Sequence, residues 1–468
     1  MKIATMTIQP ADFRDRPGPT YLALADALAD AIGDGRFDAG ARLPPQRDLA
    51  YRLKVTVGTV GRAYELLAQR GLTRGEVGRG TYVLARDPLP TIASVGPQAI
   101  GGLIDLTANF PAAVPAQAAL GDLLPMQESA VEVLGDLLRY PDSGGAWRHR
   151  LAAAEWLDHL GLTVQPENVL LGNGLQGTMA AALAALARPG DTILTEQLCY
   201  SGVRSLTGCL GQHLEPVAMD EDGMLPEALA AAARQRGAKI VIMSPTIQNP
   251  STVLTPAARR EALAAVARSH DLLLIEDEVY GPLVPDRPPA MASLAPERTL
   301  FLSSVSKFLA PGLRLGFATG PADLVRAVTA AQRELCLGLP PFSGELFARA
   351  LRAGVVAEAL RQQRLEMAER QELAAGILAG LELHSQPTAL HVWLRLPQRW
   401  TAAEAALALA KIGVLVTPAE RFFIGRGAVP QAMRISLSSP ATRAHLRDAL
   451  GRIASVLTTG THAGDLVL

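Results

Sequence analysis

The chain has 468 residues, of which 49% are hydrophobic and 19% charged, and it carries a net charge of −1 at pH 7. This is long enough for more than one domain and a large core. No run approaches 18 apolar residues, and "MKIATMTIQP" lacks the apolar region of a signal peptide. We therefore expect a soluble, cytoplasmic protein without a membrane partner.

Three cysteines, Cys199, Cys209 and Cys336, show no CxxC spacing. Their number and spacing favour reduced thiols in the core over a disulfide framework or a metal site. No metal is expected.

The charge is unevenly spread along the chain. Residues 14–86 carry +4, whereas residues 87–468 carry −5. A basic head on an acidic body hints that the head binds nucleic acid, although chance asymmetry would give the same totals.

The first predicted domain, residues 17–85, has the pattern of a winged helix-turn-helix. "TYLALADALADAIGDG" has apolar residues at helical spacing, and "PPQRDLAYRL" is a second, shorter helix. "VTVGTVGRAYELLAQRG" is a third helix, opened by Thr56 and closed by Gly71. "LTRGEVGRGTYV" is then predicted to form a two-stranded hairpin with glycines at its tip.

The third helix is predicted to enter the major groove of an operator. Thr56, Thr59 and Arg62 recur every third residue and share its polar face, and Arg62 suits a guanine edge or a phosphate. The alternative for each arginine is an ordinary solvated side chain. The predicted DNA-binding residues, which include phosphate contacts on the second helix and at the wing, are Arg47, Thr56, Thr59, Arg62, Arg79 and Gly80.

The stretch "LPPQRDLAYRLKVTVGTVGRAYELLAQRGL", followed by "GRGTYV", resembles the GntR family of bacterial repressor heads. The resemblance implies binding to double-stranded DNA. Lys54 departs from the family pattern because it stands at a turn position that is usually glycine. Val57 and Gly58 replace residues that are commonly polar, which leaves the operator sequence undefined.

Residues 86–103, "RDPLPTIASVGPQAIGGL", are rich in proline, glycine and small residues and are predicted to be a linker. A surface loop within one domain is the alternative. The third segment, residues 104–468, alternates buried β-rich runs with amphipathic helices. This predicts an α/β fold with a doubly wound, mainly parallel sheet.

Ligands bind beyond the carboxyl ends of the strands in such sheets. Four segments fall at these ends: Gly172–Gly177, Ser244–Asn249, Asp277–Tyr280 and Ser303–Lys307. Lys307 is one of only five lysines, against 39 arginines, and it stands in the apolar stretch "SSVSKFLAPGLRLGF". Arginine cannot serve as a nucleophilic amine, whereas a buried lysine can.

The residues at these strand ends suit pyridoxal phosphate, which needs an amine, a carboxylate for its ring nitrogen and donors for its phosphate. Lys307 supplies the amine, and Asp277 is placed to keep the ring nitrogen protonated. Tyr280 and Asn249 are placed to hydrogen-bond the phenolic oxygen, and Tyr200 to stack on the ring.

The phosphate is expected at the helix start in "GNGLQGT", where free N–H groups favour an anion. Ser304, Ser306 and Arg314 add hydroxyl groups and a positive charge. Each feature alone has an ordinary structural explanation, because a strand often ends in a solvated aspartate and a glycine turn is often only a turn. Their order along the chain favours the cofactor site.

Residues 104–468 resemble the fold-type I aminotransferases through "SPTIQNP", "IEDEVYGPL" and "SSVSKFLAPGLRLGF". The resemblance implies that the first domain is followed by a large domain and a smaller C-terminal α/β subdomain. It also implies that Lys307 is the Schiff-base lysine, Asp277 the partner of the pyridine nitrogen, and Asn249 and Tyr280 the partners of the phenolate.

The same resemblance implies two further roles and one departure. Arg434 in "MRISLSSP" matches an arginine that holds a substrate carboxylate, and Tyr140 in "YPDSGG" matches a tyrosine that reaches the phosphate of a neighbouring subunit, which implies a homodimer. Leu175 and Gly177 replace a small polar residue and a glutamine in the phosphate turn. Binding of the cofactor phosphate at this turn would therefore depend on main-chain N–H groups and Gln176.

A GntR head joined to an aminotransferase-like body is the arrangement of the MocR family. The resemblance implies a transcriptional regulator that binds an operator, carries pyridoxal phosphate and senses that cofactor or a small amine or amino acid. A second interpretation is a working aminotransferase with an attached DNA-binding head. A third, a body that only dimerises, is disfavoured by the intact site residues.

Overall fold

The computed structural model describes residues 8–14, 16, 18–38, 40–76, 80–84, 103–123 and 137–459. The predicted linker lies outside these residues except for Leu103. The chain divides into two compact units, built mainly from Met1–Gly96 and from Pro97–Trp400.

The first unit is a winged helix-turn-helix, as predicted. Its hydrophobic core includes Leu24, Leu28, Leu49, Val60 and Leu67, which recur at helical spacing on three packed helices. Its helices and strands are α1 (Ala11–Arg14), α2 (Thr20–Gly33), α3 (Gln46–Leu53), α4 (Val57–Gln69), β1 (Thr73–Glu76) and β2 (Gly80–Val83).

Two features of this unit add to the sequence prediction. Ile8 and Phe13 precede the predicted start of the domain, yet both are buried in its core. Lys54 ends α3 with a positive φ of 54°, a left-handed conformation that glycine adopts without steric cost. This conformation explains why the related heads favour glycine there.

The second unit is built on a seven-stranded sheet within the described residues, with strand order β4-β12-β11-β10-β9-β5-β6. Only β12 runs antiparallel to its neighbours, β11 and β4. The prediction of a mainly parallel α/β sheet is therefore confirmed. The strands are β4 (Val169–Asn173), β5 (Thr192–Glu196), β6 (His213–Val217), β9 (Ile240–Met243), β10 (Leu273–Asp277), β11 (Thr299–Ser304) and β12 (Leu315–Thr319).

The carboxyl ends of β4, β5, β9, β10 and β11 lie at one edge of this sheet, because the five strands run in the same direction. The amino end of the antiparallel β12 reaches the same edge, where Leu315 pairs with Asn173. The sheet thus brings together the four predicted site segments.

Most of the helices before, between and after these strands bury the apolar faces of the sheet. Most are rich in alanine and leucine, which favour helix at little entropic cost. The helices of this part are α5 (Ala119–Asp122), α6 (Trp147–His159), α7 (Gly174–Leu186), α8 (Ser201–Cys209), α9 (Pro226–Arg236), α10 (Ala257–Ser269), α11 (Met291–Leu294), α12 (Ala322–Cys336), α13 (Pro341–Arg352) and α14 (Val355–Ile377).

A smaller antiparallel sheet follows, with strand order β13-β14-β17-β16. Its strands are β13 (Leu383–His384), β14 (His391–Arg395), β16 (Thr417–Pro418) and β17 (Ala432–Ser436), and α15 (Ala402–Lys411) and α16 (Arg443–Thr459) accompany them. Short strand pairs complete the unit: β3 (Ile104–Asp105) with β15 (Val414–Leu415), and β7 (Met219–Asp220) with β8 (Gly223–Met224).

The cysteines correct one expectation. Cys199 is buried, but Cys209 and Cys336 are exposed, since each is the last residue of a surface helix. Among the described residues, no helix combines the length and apolar character that crossing a bilayer requires.

Candidate functional site

A pocket opens at the edge of the large sheet where the parallel strands end. It gathers side chains from all four predicted site segments and from the start of α8. Its lining residues are Leu175, Gln176, Tyr200, Ser244, Asn249, Asp277, Val279, Tyr280, Ser304, Ser306, Lys307 and Arg314.

Lys307 lies in this pocket, three residues beyond the end of β11. Its ammonium group donates a hydrogen bond to the main-chain oxygen of Asn109 at 2.8 Å and lies 5.8 Å from the centre of the Tyr280 ring. Burial lowers the pKa of Lys307 to about 8, helped by the positive charges of Arg434 and Arg314 and opposed by Asp277. Near neutral pH the neutral, nucleophilic fraction of this amine is therefore larger than that of an ordinary lysine, although the charged form still predominates.

Asp277 and Tyr280 lie on the wall that β10 contributes. Burial raises the pKa of Asp277 to about 6, and among the described residues only the Val279 N–H, at 3.1 Å, donates directly to its carboxylate. Burial also raises the pKa of Tyr280 to about 12, so its hydroxyl group keeps its hydrogen. In the part of the chain that the structure describes, no cation contacts the Asp277 carboxylate, and the Tyr280 phenol can donate a hydrogen bond.

Anion-binding groups lie together on another side of the pocket. The helix α7 begins at Gly174, so the first-turn N–H groups near Leu175 and Gln176 lack helical partners. Ser304 and Ser306 contact each other at 2.8 Å between hydroxyl oxygens, and the exposed Arg314 guanidinium bonds the Asn173 carbonyl at 3.3 Å. Free N–H groups, hydroxyls and a guanidinium form a donor set suited to a phosphate.

Glycines allow this close approach of helix and strand. A Cβ atom on Gly316 would lie 2.6 Å from the carbonyl carbon of Gly174, and one on Gly174 would lie 2.6 Å from Nη2 of Arg314. Gly174 also has a φ of 71°. A side chain at either position would displace the start of α7 or Arg314.

Arg434 adjoins the pocket although it does not line it. Its Nη1 donates to Oδ1 of Asn249 at 2.8 Å, its Nη2 donates to the carbonyl of Thr107, and the guanidinium lies 4.9 Å from the Phe422 ring centre. It is 7% exposed, and burial lowers its pKa. Its Nε is buried without a hydrogen-bond partner among the described residues.

A buried ion network supports the loops that carry these residues. Glu278 accepts hydrogen bonds from Thr246 at 2.6 Å and Arg287 at 2.7 Å, and its Oε1 lies 3.5 Å from Nη1 of Arg260. Glu278 follows Asp277, and Thr246 precedes Asn249 by three residues. The network therefore ties the two loops together behind the pocket.

Two predicted cofactor residues are not in the pocket. Gly177 lies in α7 beyond the lining residues, and Tyr140 is 88% exposed on the surface of this single chain. Leu175, the other departure from the family pattern, does line the pocket.

Sequence analysis missed two buried residues beside Lys307. Asn109 contacts both Lys307 and Tyr280, and its Nδ2 lies 2.9 Å from Nδ1 of His391. Ser244 and Val279 were also not assigned individually, although both line the pocket and lie within two of the predicted site segments. Ser244 and Val279 each lie just beyond a strand of the large sheet, and this position could have identified them as site residues. Asn109 and His391 do not lie beyond such a strand, so the same signal could not have identified them.

The predicted DNA-binding residues lie on the first unit. Arg47 and Arg62 are exposed on α3 and α4, and the Arg62 guanidinium lies 6.0 Å from the Tyr21 ring centre. Thr56 caps α4 by accepting the Thr59 N–H at 3.1 Å, and their hydroxyl oxygens lie 2.8 Å apart. Both threonines therefore also have a structural role.

The wing is partly described. Gly80 begins β2 with a φ of 114°, and a Cβ there would lie 2.6 Å from Nε of Arg42. Arg79 lies outside the described residues. A groove beside the start of α4 is also lined by Arg14 and Lys54, two cations that sequence analysis did not assign to DNA.

Two family models match the chain. The model for aminotransferase class I and II matches residues 103–453, and the model for bacterial regulatory proteins of the gntR family matches residues 20–83.

Similar proteins share both parts. The HTH-type transcriptional regulator YdeF of Bacillus subtilis is 30% identical, over 92% of this chain and 93% of its own. The vitamin B6 salvage pathway transcriptional repressor PtsJ of Salmonella typhimurium is 29% identical, over 90% of this chain and 95% of its own. The pyridoxine biosynthesis transcriptional regulator PdxR of Corynebacterium glutamicum is 28% identical, over 86% of this chain and 89% of its own.

Solved structures match the second unit. An archaeal alanine:glyoxylate aminotransferase has a TM-score of 0.69 and 25% identity, over 76% of this chain and 90% of its own. Aspartate aminotransferase from Thermus thermophilus has a TM-score of 0.68 and 24% identity, over 76% of this chain and 92% of its own. The fold-type I architecture is thereby confirmed.

Replacing Arg434 by methionine is expected to raise the pKa of Lys307 above its value of about 8, because the guanidinium charge opposes a second positive charge. With five lysines in the chain, ¹³C reductive methylation and an NMR titration measure this pKa, and Lys307→Ala assigns the signal. The control is Arg268→Met, which removes an exposed arginine paired with Glu297 and should leave the midpoint unchanged. An unchanged midpoint in Arg434→Met would mean that the Arg434 charge does not contribute to the lowered pKa.

Proposed function

Because this chain belongs to the HTH-type transcriptional regulators in which a gntR head is joined to an aminotransferase class I and II domain, the MocR type, we propose that it regulates transcription through bound pyridoxal phosphate. The second unit is proposed to sense the cofactor or an amino-acid-like effector, and the head to bind an operator. The main support for this proposal is that one pocket contains Lys307, Asp277, Tyr280 and a set of hydrogen-bond donors suited to a phosphate.

The residues of the pocket fit pyridoxal phosphate, which members of the aminotransferase class I and II fold family bind. Asp277 is a buried carboxylate that no cation of the described residues contacts, as a partner for a protonated ring nitrogen requires. Lys307 is an amine with a lowered pKa. The first turn of α7, with Ser304, Ser306 and Arg314, supplies phosphate donors.

When bound, the cofactor supplies an aldehyde that reacts with amines and a ring that withdraws electrons. Lys307 would hold it covalently, and Asp277 would keep the ring nitrogen protonated. Tyr280 and Asn249 would orient the phenolic oxygen, and Tyr200 would lie against the ring. The names of PtsJ and PdxR, which refer to vitamin B6 salvage and pyridoxine biosynthesis, support the cofactor itself as a ligand of this chain.

Full-length protein mixed with pyridoxal phosphate is expected to gain visible absorbance and, after borohydride reduction, one modified peptide that contains Lys307. Lys307→Ala should lose both signals, because no other residue lining the pocket carries an amine. Lys239→Ala, which removes a lysine with a 67% exposed side chain, is the control and should keep both. A reduced adduct on a different lysine would exclude this assignment.

Arg434 is proposed to hold the carboxylate of an effector. It is buried beside Asn249, its Nε has no partner among the described residues, and a guanidinium binds a carboxylate through two parallel hydrogen bonds. An effector held at both its amine and its carboxylate has the differential affinity that shifting a conformational equilibrium requires.

Arg434→Met is expected to keep the cofactor absorbance and basal operator binding but to lose the response to amino acids. In the unaltered protein an effective amino acid should change operator affinity by roughly 5–150-fold, the usual range of allosteric coupling. Titrations that follow absorbance and operator affinity together provide the measurement, with Arg268→Met as the control. An equally strong response to simple amines, or a full response in Arg434→Met, would argue against the carboxylate clamp.

The head is proposed to contact DNA through Arg47, Thr56, Thr59, Arg62 and the wing, including Arg79 and Gly80. The exposed guanidinium groups on α3 and α4 support this arrangement, since helix-turn-helix heads place such groups against phosphates and base edges.

Arg47→Ala and Arg62→Ala are expected to weaken operator binding, and each lost phosphate contact should flatten the slope of log K against log salt by about 0.9. Footprinting on the DNA upstream of the protein's own gene identifies a test operator. Arg36→Ala, which changes a partly exposed arginine that follows α2, is the control. If neither affinity nor slope changes in the two variants, this docking arrangement is wrong.

A homodimer is proposed because Tyr140 corresponds to a tyrosine that serves the neighbouring subunit, and its 88% exposure leaves it available to a second copy. The alternative function, a working aminotransferase, is favoured by the presence of Lys307, Asp277 and Arg434 together. A compound that resets the cofactor spectrum and transfers its amino group to a keto acid, without altering DNA binding, would support the enzyme.

A further inference from the structure

Asn109 connects three groups at the base of the pocket. Its main-chain oxygen accepts from Lys307 at 2.8 Å, and its Nδ2 lies 2.9 Å from the Tyr280 hydroxyl and 2.9 Å from Nδ1 of His391. Asn109 is 7% exposed and His391 is fully buried. The contacts of Asn109 with Tyr280 and His391 are therefore buried, and its contact with Lys307 is partly buried.

The directions of these hydrogen bonds follow from the amide orientation in which Nδ2 faces both groups. In this orientation Oδ1 of Asn109 and Nε2 of His391 are buried without hydrogen-bond partners among the described residues. An amide nitrogen only donates, so Nδ2 uses one hydrogen toward Tyr280 and the other toward His391. Nδ1 of His391 must then carry a lone pair, which places the ring hydrogen on Nε2. A charged imidazolium would instead point an N–H group at the amide hydrogens.

The surroundings of His391 favour the neutral ring. Burial lowers its pKa well below the ordinary range, and the positive charges of Arg434 and Lys307 act in the same direction. The main-chain groups of Gln248 and Pro250 have a smaller, opposite effect, since they attract a ring hydrogen. These two residues border the loop that carries Asn249.

The position of His391 is fixed by its strand. It lies on β14 opposite Ser436, two residues from the Trp393–Arg434 pair, and its main-chain oxygen accepts from Gln371 at 3.2 Å. Its ring centre lies 5.7 Å from that of Tyr280. The imidazole is thus adjacent to the Tyr280 ring and lies on the strand that pairs with the strand of Arg434.

The orientation of Asn109 decides what Tyr280 can do. As oriented, Asn109 donates to the Tyr280 oxygen, so the hydroxyl hydrogen stays free to be donated elsewhere. With the amide reversed, Oδ1 would face the tyrosine, and the hydroxyl hydrogen would be used on Asn109. Nδ1 of His391 would then have to carry a hydrogen.

We propose that His391 is a positioning residue: neutral and protonated on Nε2, it orients Asn109 so that Tyr280 directs its hydroxyl hydrogen into the pocket. This rests on the proposed function, because the group that receives the hydrogen is the phenolic oxygen of pyridoxal phosphate. Donation to that oxygen offsets its negative charge and so favours the deprotonated form of the covalent link to Lys307.

The first test needs no cofactor. Full-length protein labelled with ¹⁵N-histidine is examined by NMR, and His391→Asn identifies the signals of His391. Ring nitrogen shifts of a neutral imidazole with hydrogen on Nε2 near pH 7 support the proposal. A charged ring, or hydrogen on Nδ1, overturns it whether or not pyridoxal phosphate binds.

The second test is a double-mutant cycle on protein loaded with pyridoxal phosphate. His391→Leu removes the acceptor for Asn109, so the midpoint of the absorbance titration should move to higher pH by about half a unit or more. His391→Asn, whose side-chain oxygen lies near the former Nδ1, should restore much of the original midpoint. Asn109→Ala keeps the main-chain oxygen that accepts from Lys307, and in that background His391→Leu should have almost no effect.

The double-mutant cycle distinguishes a positioning role of His391, which acts through Asn109, from a role in packing alone. An equal shift from His391→Leu with and without Asn109 would overturn the proposal, because the effect would not pass through the amide. A midpoint unchanged in His391→Leu, despite a lower thermal stability, would assign His391 a packing role only. Failure of the proposed function would appear differently, as an absence of visible absorbance in the unaltered protein, while the tautomer measurement still decides the role of His391.

Discussion

Glu278 holds the pocket together from behind. Its carboxylate is fully buried and receives hydrogen bonds from Thr246 and Arg287, with Arg260 also within ion-pair distance. A buried ion pair adds little net stability, but removing one member typically costs ~3–5 kcal/mol, because the remaining charge is left without compensation. The network therefore permits few alternative arrangements of the two loops that present Asp277 and Asn249. The geometry of the pocket therefore depends on a constraint that lies outside the pocket itself.

Much of the fold and part of the site follow from the sequence by simple reasoning. Lys307, Asp277 and Asn249 each stand just beyond an apolar run, and parallel strands bring such positions to one edge. The winged head follows from three helical repeats and a glycine-rich hairpin. The edge strand β6 was not predicted, since "HLEPV" alternates weakly and has only one fully buried residue.

Other contacts could not have been predicted from local patterns. Asn109 is separated from Tyr280 by 171 residues and from His391 by 282, and neither Asn109 nor His391 lies in a motif at a strand end of the large sheet. Their pairing depends on how the small antiparallel sheet packs, which periodicity does not specify. Lys54 shows the opposite case: its departure from glycine was visible in the sequence, and the structure supplies the reason in its left-handed backbone.

The single antiparallel strand of the large sheet determines how compact the cofactor motif is. Because β12 runs back along β11, the chain turns within residues 305–314 and both ends of the turn stay at the same edge. A parallel strand would require a crossover of a dozen or more residues, which would separate Lys307 from Arg314. An insertion in this turn would therefore alter the spacing between the amine and the guanidinium directly. Insertions in the longer connections between the parallel strands would leave that spacing intact, so length variation among related chains should concentrate there.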